Sequence, residues 1–353
     1  MASTNEDRTA ASQQLRSMYI AKSAERKDND SAPTTKNGTP TKLLCSECGK
    51  KSSTLKKCTA CQCVWYCDKK CQNKHWKEHK KECKLIKKEL DKRGGKLDVG
   101  TEEVLGPLPD LPPREECPIC MHVLPIAAGL QTYFACCGKT ICGGCNLQHL
   151  VKSEERADGR TCAFCRETVL DSDEEILARY RKRVERNDPN ALLNMAYKYG
   201  FGRNGLQMDQ AKCIDLMRQA AALGNAGAQF QLGNYHLSGE MGLEQSEEER
   251  LEYWEKSTEV GHVEARHNLG CAEDANGDHV AAMRHWRLSA SGGSKASMGA
   301  LIGCFEHGLL QHKDLAETLQ VFYRARAEMK SEDRDQYISY LKETGEYEDY
   351  IDP

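Results

Sequence analysis

Apolar positions follow two regimes along this chain. From about residue 189 onward they recur at helical spacing, and before it they are sparse and interrupted by cysteine pairs. In the C-terminal half an apolar residue followed by a small one returns at Met195-Ala196, Leu232-Gly233, Leu269-Gly270 and Ile302-Gly303, spaced 37, 37 and 33 residues apart. A second series keeps step: Met217, Trp254, Trp286 and Phe322, each followed three residues later by Ala220, Ser257, Ser289 or Ala325. Gly224, Gly261 and Gly293 come four residues on again. Large, small and glycine at this period predict about four two-helix units stacked as a solenoid over 189–330, the third shortened at EDANGDH. Small residues let helices approach closely, and large ones fill the seam between units. Ahead of the repeats, Ile176, Tyr180 and Val184 predict a connecting helix over 171–188, broken by Asp188-Pro189. Behind them, 331–353 reads as a capping helix with an acidic, tyrosine-rich tail. Cys213, Cys271 and Cys304 lie within the repeats and read as small core residues.

The N-terminal half is organised by cysteine. Residues 1–42 carry the polar stretch KDNDSAPTTKNGTPTK and read as a disordered tail, with Ala11–Ser23 compatible with a short helix. One cysteine cluster occupies 43–84. Residues 85–114 hold the end of a helix, stopped at Gly94-Gly95, and the proline-rich linker GPLPDLPPREE. A second cluster fills 115–168.

Composition sharpens this division. All of the 19 cysteines except Cys213, Cys271 and Cys304 fall between Cys45 and Cys165. No signal pattern opens the chain, and no apolar run approaches the roughly 18 residues of a membrane span. The expected setting is therefore intracellular, cytoplasmic or nuclear, with no membrane partner. In a reducing compartment, clustered Cys-x-x-Cys pairs are metal ligands rather than disulfides. Fifty basic and 53 acidic side chains leave a formal net charge of −3, which argues against nucleic acid as the main partner.

In the first cluster the ligand candidates are Cys45, Cys48, Cys58, Cys61, Cys67, Cys71, His79 and Cys83. Pairs two or three residues apart can each clamp one side of a tetrahedral zinc, and His79 and Cys83 share a helix face at i, i+4. Cys63 and His75 are spare candidates, read as non-ligands. This spacing, with Gln72, Trp76 and Lys80, resembles a MYND finger. The resemblance implies interleaved sites, Cys45, Cys48, Cys67 and Cys71 for one zinc and Cys58, Cys61, His79 and Cys83 for the other. It also implies a protein-binding module that grips Pro-x-Leu-x-Pro peptides through Gln72 and Trp76, a preformed extended ligand on an aromatic shelf. Packing of the small core is the equal alternative for Trp76. Some methyltransferases contain such a finger, but the catalytic domain that accompanies it there is not recognisable here.

The second cluster, Cys117, Cys120, Cys136, Cys137, Cys142, Cys145, Cys162 and Cys165, resembles a RING finger of the all-cysteine kind. The resemblance implies Cys117, Cys120, Cys142 and Cys145 at one zinc and Cys136, Cys137, Cys162 and Cys165 at the other, for about four zinc ions in the chain. Lys139 stands where most RINGs place a ligand histidine, so the Cys136-Cys137 pair completes the site, or His149 substitutes. By the same resemblance Ile119 and Arg166 would position a ubiquitin-conjugating enzyme. Ala163 stands where ligases usually carry proline, and His149 where many carry tryptophan or a bulky aliphatic residue.

The expected fold is thus two small zinc-stabilised α+β modules followed by an all-α, Sel-like repeat solenoid, with LGNYHLSG and AAALGNAGAQ as the stretches nearest that repeat family. Two functions compete: a ubiquitin ligase whose repeats select substrate, and a non-enzymatic scaffold. Pro109, Leu111 and Pro113 in the linker form a Pro-x-Leu-x-Pro sequence, separated from Cys83 by 25 residues. They can mask the chain's own MYND face or serve as a stiff spacer.

Overall fold

The computed structural model describes residues 44–50, 54–97, 105–109, 111–154, 161–168 and 172–344. The N-terminal stretch and the acidic tail read above lie outside these residues.

Among the described residues there are twelve α-helices and two small hairpins. Strands β1 (Lys56–Lys57) and β2 (Trp65–Tyr66) pair antiparallel, followed by α1 (Lys69–Lys92). Strands β3 (Gln131–Phe134) and β4 (Lys139–Cys142) form the second hairpin, with Gln131 opposite Cys142, and α2 (Gly143–Glu154) follows. Helix α3 (Asp173–Val184) leads into eight helices, taken two by two in chain order. These are α4 (Pro189–Gly200) with α5 (Gln210–Ala222), and α6 (Ala226–Ser238) with α7 (Glu247–Glu259). Then come α8 (Val263–Ala275) with α9 (His279–Ser291), and α10 (Lys295–Glu306) with α11 (His312–Glu328). Helix α12 (Glu332–Thr344) closes the described chain. No helix among the described residues is long and apolar enough to cross a membrane.

The repeat signals have separate physical jobs. Each polar residue ahead of a helix is a cap. The Asp188 carboxylate accepts from the N–H groups of Asn190 and Ala191, and Asp209, Asn225 and Ser246 cap α5, α6 and α7 in the same way. Such a cap contributes about 1 kcal/mol. Gly224 ends α5 in the left-handed region, at φ 81°, so that Asn225 N–H can return to the Ala220 carbonyl. The small residue of the first pair makes room: a Cβ on Gly233 would collide with the Trp254 ring. Met217, Trp254, Trp286 and Phe322 are all buried, as are Ala220, Ser257, Ser289 and Ala325. Two details depart from the sequence reading. On α3 the most buried residue is Leu177 rather than Ile176, with Tyr180 and Val184 packed beside the same core. Cys213 and Cys304 are core residues, but Cys271 lies at the surface, because its helix turns that position outward.

The chain divides into two compact units. The first joins the N-terminal finger to residues 272–291 and 295–324. Its core mixes Ile86 and Leu90 of α1 with Trp286, Leu301, Phe305, Leu315 and Leu319 of the repeats. The finger is therefore one wall of a helical core. The second unit joins residues 110–271 to 292–294 and 325–353. Its repeats have a core of their own, Leu192, Met217, Leu232 and Tyr235 among others. Its finger holds a small separate core around Cys117, Leu124 and Ile141.

Candidate metal centres

Both fingers are assembled from one local device. In each of Cys45–Cys48, Cys58–Cys61, Cys117–Cys120 and Cys162–Cys165, the residue after the second cysteine sits in the left-handed region. These residues are Gly49 (φ 68°), Gln62 (φ 59°), Met121 (φ 58°) and Arg166 (φ 61°). Its N–H returns to the carbonyl of the first cysteine, at 2.9, 2.9, 2.8 and 3.2 Å respectively. The first cysteine's own N–H is tied to Lys50, Val64, His122 or Glu167. Holding a non-glycine residue there costs on the order of 1 kcal/mol, so something must over-determine the turn. The turn aims backbone N–H groups at sulfur. Burial opposes the Cys45 thiolate, but the N–H groups of Cys48, Cys67 and Glu47 outweigh it and lower the pKa to about 7. Cys117 behaves alike: burial raises it, N–H groups of Cys120, Cys142 and Ile119 win, and it falls to about 7.

The remaining donors come from regular structure. Cys71, His79 and Cys83 lie on α1, whose first turn is capped by Asp68 accepting the Cys71 N–H at 2.9 Å. Cys142 ends β4, Cys145 sits in the first turn of α2, and Cys136-Cys137 occupy the β3–β4 turn.

The fold brings these residues together as four tetrads: Cys45, Cys48, Cys67 and Cys71; Cys58, Cys61, His79 and Cys83; Cys117, Cys120, Cys142 and Cys145; and Cys136, Cys137, Cys162 and Cys165. Within each, all donor atoms lie within 4.8 Å of one another. Sulfur pairs stand at 3.5 Å (Cys48–Cys67), 3.7 Å (Cys58–Cys83), 3.9 Å (Cys120–Cys142) and 3.7 Å (Cys137–Cys162). A tetrahedron with zinc–sulfur bonds of about 2.3 Å has an edge of about 3.8 Å. A disulfide would need about 2.05 Å. The donor sets are compatible with about four zinc ions. The buried mixed tetrad is also short of positive charge. Burial lowers the His79 pKa, but the thiols of Cys58 and Cys61 outweigh burial and pull it up to about 9.

Residues left outside the tetrads have other partners. Cys63 Sγ lies 3.2 Å from His312 Nε2, and His75 Nδ1 pairs with the Tyr66 hydroxyl at 2.9 Å. His149 Nε2 donates to the Thr161 carbonyl, and four cysteines complete the fourth tetrad without it. Lys139 is exposed on β4.

Several contacts to the centres come from distant sequence. His79 Nδ1 donates to the Tyr323 hydroxyl on α11 at 3.2 Å, and Tyr323 donates in turn to Glu82 at 3.4 Å. That chain fixes the tautomer and leaves Nε2 free to act as a donor atom toward a metal. In the second finger, Arg334 of α12 reaches Cys120 Sγ, and Arg183 of α3 donates to the carbonyls of Ala135 and Cys136. Tyr133 of β3 donates to Asp188, the cap of α4, at 2.8 Å. No local spacing marks Tyr323, Arg334 or Arg183, and sequence reading missed them.

The recognition candidates are placed as follows. Trp76 is 38 % exposed while its ring packs edge-on to His79, so packing against the finger leaves part of the indole open to solvent. Gln72 is half-buried one turn earlier, and Lys80 is exposed one turn later. Ile119 is 44 % exposed, and Arg166 is exposed. They sit on different knuckles of the second finger. In the linker the Gly106 carbonyl accepts from Arg287 at 2.9 Å. Pro112 packs on Gly261, where a Cβ would lie 3.5 Å from its ring. Pro109 and Pro113 are exposed and Leu111 is half-buried.

Residues 45–83 match the MYND finger family. The histone-lysine N-methyltransferase ASHR1 of Arabidopsis thaliana is 48 % identical over 58 residues, covering 16 % of this chain and 12 % of that protein. The human histone-lysine N-methyltransferase SMYD3 is 40 % identical over 45 residues, 13 % of this chain and 10 % of that protein. The matched stretch thus spans only about a tenth of these relatives. Among solved structures, a Sel1 repeat protein from Oxalobacter formigenes is similar at 23 % identity and a TM-score of 0.33, covering 36 % of this chain and 97 % of that one. The antigen c5321 of uropathogenic Escherichia coli, which displays an SLR fold, is similar at 23 % identity and a TM-score of 0.37, covering 48 % and 36 %. The chain thus combines a stretch that matches the MYND finger, further cysteine tetrads and helical repeats.

Proposed function

We propose that this chain is an intracellular protein-docking molecule, held together by one zinc at each tetrad, whose second finger acts as a RING-type ubiquitin ligase. In this reading the repeats select the substrate, and the MYND finger recruits a proline-rich partner across Gln72 and Trp76. The observation that carries it is the exposure of Ile119 and Arg166 on two knuckles of one finger, each knuckle anchored by a buried first cysteine, Cys117 or Cys162. An apolar tip and a planar guanidinium are what a conjugating enzyme charged with ubiquitin needs in order to be gripped and oriented. Such a ligase does no covalent chemistry of its own and accelerates transfer by orientation. The methyltransferase relatives share the finger stretch, and methyl transfer is not carried over from them.

Purified protein incubated with activating enzyme, a broad panel of conjugating enzymes and ubiquitin should modify itself. Arg166→Ala should abolish transfer with zinc content and conjugating-enzyme binding nearly intact. Absence of transfer by wild-type protein across the panel would leave the scaffold reading. Ala163 and Lys139, which depart from the usual ligase pattern, favour that second reading.

A further inference from the structure

Arg334 is 4 % exposed and holds its guanidinium against the first knuckle of the second finger. Nη1 donates to the Val123 carbonyl at 2.7 Å and the Met329 carbonyl at 2.5 Å. Nη2 donates to the His122 carbonyl at 3.3 Å and to Cys120 Sγ at 3.5 Å. Among the described residues no carboxylate pairs with it. A buried cation without a counter-charge is strongly destabilising. The negative groups beside it are the sulfurs of a four-cysteine centre, which with zinc bound is formally dianionic. The seat of α12 points the same way. Gly143 and Gly144 stand between the donors Cys142 and Cys145. A Cβ on Gly143 would collide with the Tyr337 ring, and one on Gly144 would lie 2.7 Å from the Arg334 backbone nitrogen. Gln148 and Gln336 add a hydrogen bond at 2.8 Å. Helix α12 therefore rests on backbone whose shape the metal ligands set.

We infer that Arg334 is the charge-balancing outer partner of the Cys117, Cys120, Cys142 and Cys145 centre, so that zinc retention there and docking of α12 are coupled. This rests on the reading that the tetrad holds zinc. The coupling is reciprocal: a seated α12 slows zinc loss, and bound zinc keeps α12 seated. Arg334 is a positioning residue, acting on the metal through the sulfur it touches.

The test uses the full chain loaded with zinc. Metal analysis of wild-type protein comes first, and an absence of zinc there would sink the zinc reading before any variant is compared. Chelator-driven zinc release is then followed for wild type, Arg334→Gln, Arg334→Lys, Gly144→Ala and Tyr337→Ala. Outer partners of metal ligands are worth about 10- to 100-fold in affinity. One zinc equivalent should leave Arg334→Gln faster by that factor, and Arg334→Lys should restore most of the loss. Gly144→Ala, which crowds the seat of the helix while leaving the charge and all four ligand side chains in place, should also speed release, and Tyr337→Ala, which loosens the same seat away from the ligand turn, should do so too; the pair decides the matter if Arg334→Gln does not fold. In cobalt-substituted protein the thiolate charge-transfer band should shift in Arg334→Gln. Amides of 332–344 should lose exchange protection when the centre is emptied. Wild-type release rates in Arg334→Gln, or in both Gly144→Ala and Tyr337→Ala, failure of lysine to restore, an unmoved cobalt band, or a protected α12 beside an emptied centre would each overturn the coupling.

Discussion

The two fingers share a knuckle geometry but are secured by opposite chemistry. In the first, the buried tetrad contains His79, and its distant partner is the neutral hydroxyl of Tyr323. In the second, the corresponding buried tetrad is all cysteine, and its distant partner is the cation Arg334. Replacing a thiolate by a neutral imidazole removes one formal negative charge from the centre. Less charge must then be balanced in a region where water cannot screen it. The all-cysteine tetrad of the first finger fits the same rule. Cys48 is exposed and Cys67 and Cys71 are half-buried, so solvent does the balancing. Ligand charge multiplied by burial, rather than finger family, tells which side chain the surrounding helices must supply.

Complete zinc removal is the harshest way to press that comparison. A structural zinc contributes on the order of 10 kcal/mol to folding in small fingers, and modules of this size cannot fold on apolar burial alone. Chelation should therefore unfold both fingers. The repeats do not respond as one block, because Ile86 and Leu90 of the first finger share a core with Leu301 and Phe305. Loss of zinc should thus strip exchange protection from α9, α10 and α11 as well. Helices α4 to α7 surround Leu192, Met217 and Leu232 and should remain protected. Hydrogen exchange with and without chelator measures this. Equal protection across all the repeats would show that the shared core contributes little.

A gentler change isolates the neutral partner. Tyr323→Phe removes one hydrogen bond to His79 and keeps the ring packing against His75 and Phe322. A hydrogen bond of this kind is worth about 1 kcal/mol, or about fivefold in zinc release from the buried centre of the first finger. The effect should be smaller than that of Arg334→Gln on its own centre. An equal or larger effect in a chelator competition assay would break the charge argument, because both partners would then be acting by packing alone.

What could be read in the sequence was whatever repeats or closes within a few residues. Cysteine spacing placed the knuckles, Asp188-Pro189 marked a helix boundary, and the period of large, small and glycine residues marked the two-helix units. The partners of those groups were hidden, since they depend on where helices far along the chain come to rest. Nothing in the spacing around Tyr323, next to the seam residue Phe322, points to a metal centre. Arg334 stands among other charges in SEDRDQ, with no local pattern that sets it apart. The buried His312 that meets Cys63 comes from 249 residues away. The third repeat is shortened at EDANGDH as read, and the shortening lies in the turn, 276–278, between two helices of ordinary length.

The smallest expected effect concerns the linker. As a peptide, Pro109 to Pro113 has the sequence a MYND finger is expected to grip, and a free tether of 25 residues would present it at an effective concentration near the millimolar range. The linker is not a free tether at either end. The Gly106 carbonyl is held by Arg287, a guanidinium that is itself bound to Glu317 at 2.8 Å, and Pro112 rests on Gly261. Leaving those seats would expose a buried arginine and uncover Gly261, a cost that a weak peptide contact cannot offset. Leu111→Ala should therefore change the affinity of an added proline-rich peptide by less than about twofold. Trp76→Ala should lower it by about tenfold or more, as loss of an aromatic anchor does. Titration of labelled peptide into both variants, with chemical shifts read at the Trp76 indole, compares them directly. Tighter peptide binding by Leu111→Ala, with shifts at Trp76, would show that the linker does leave its seats and competes for the finger.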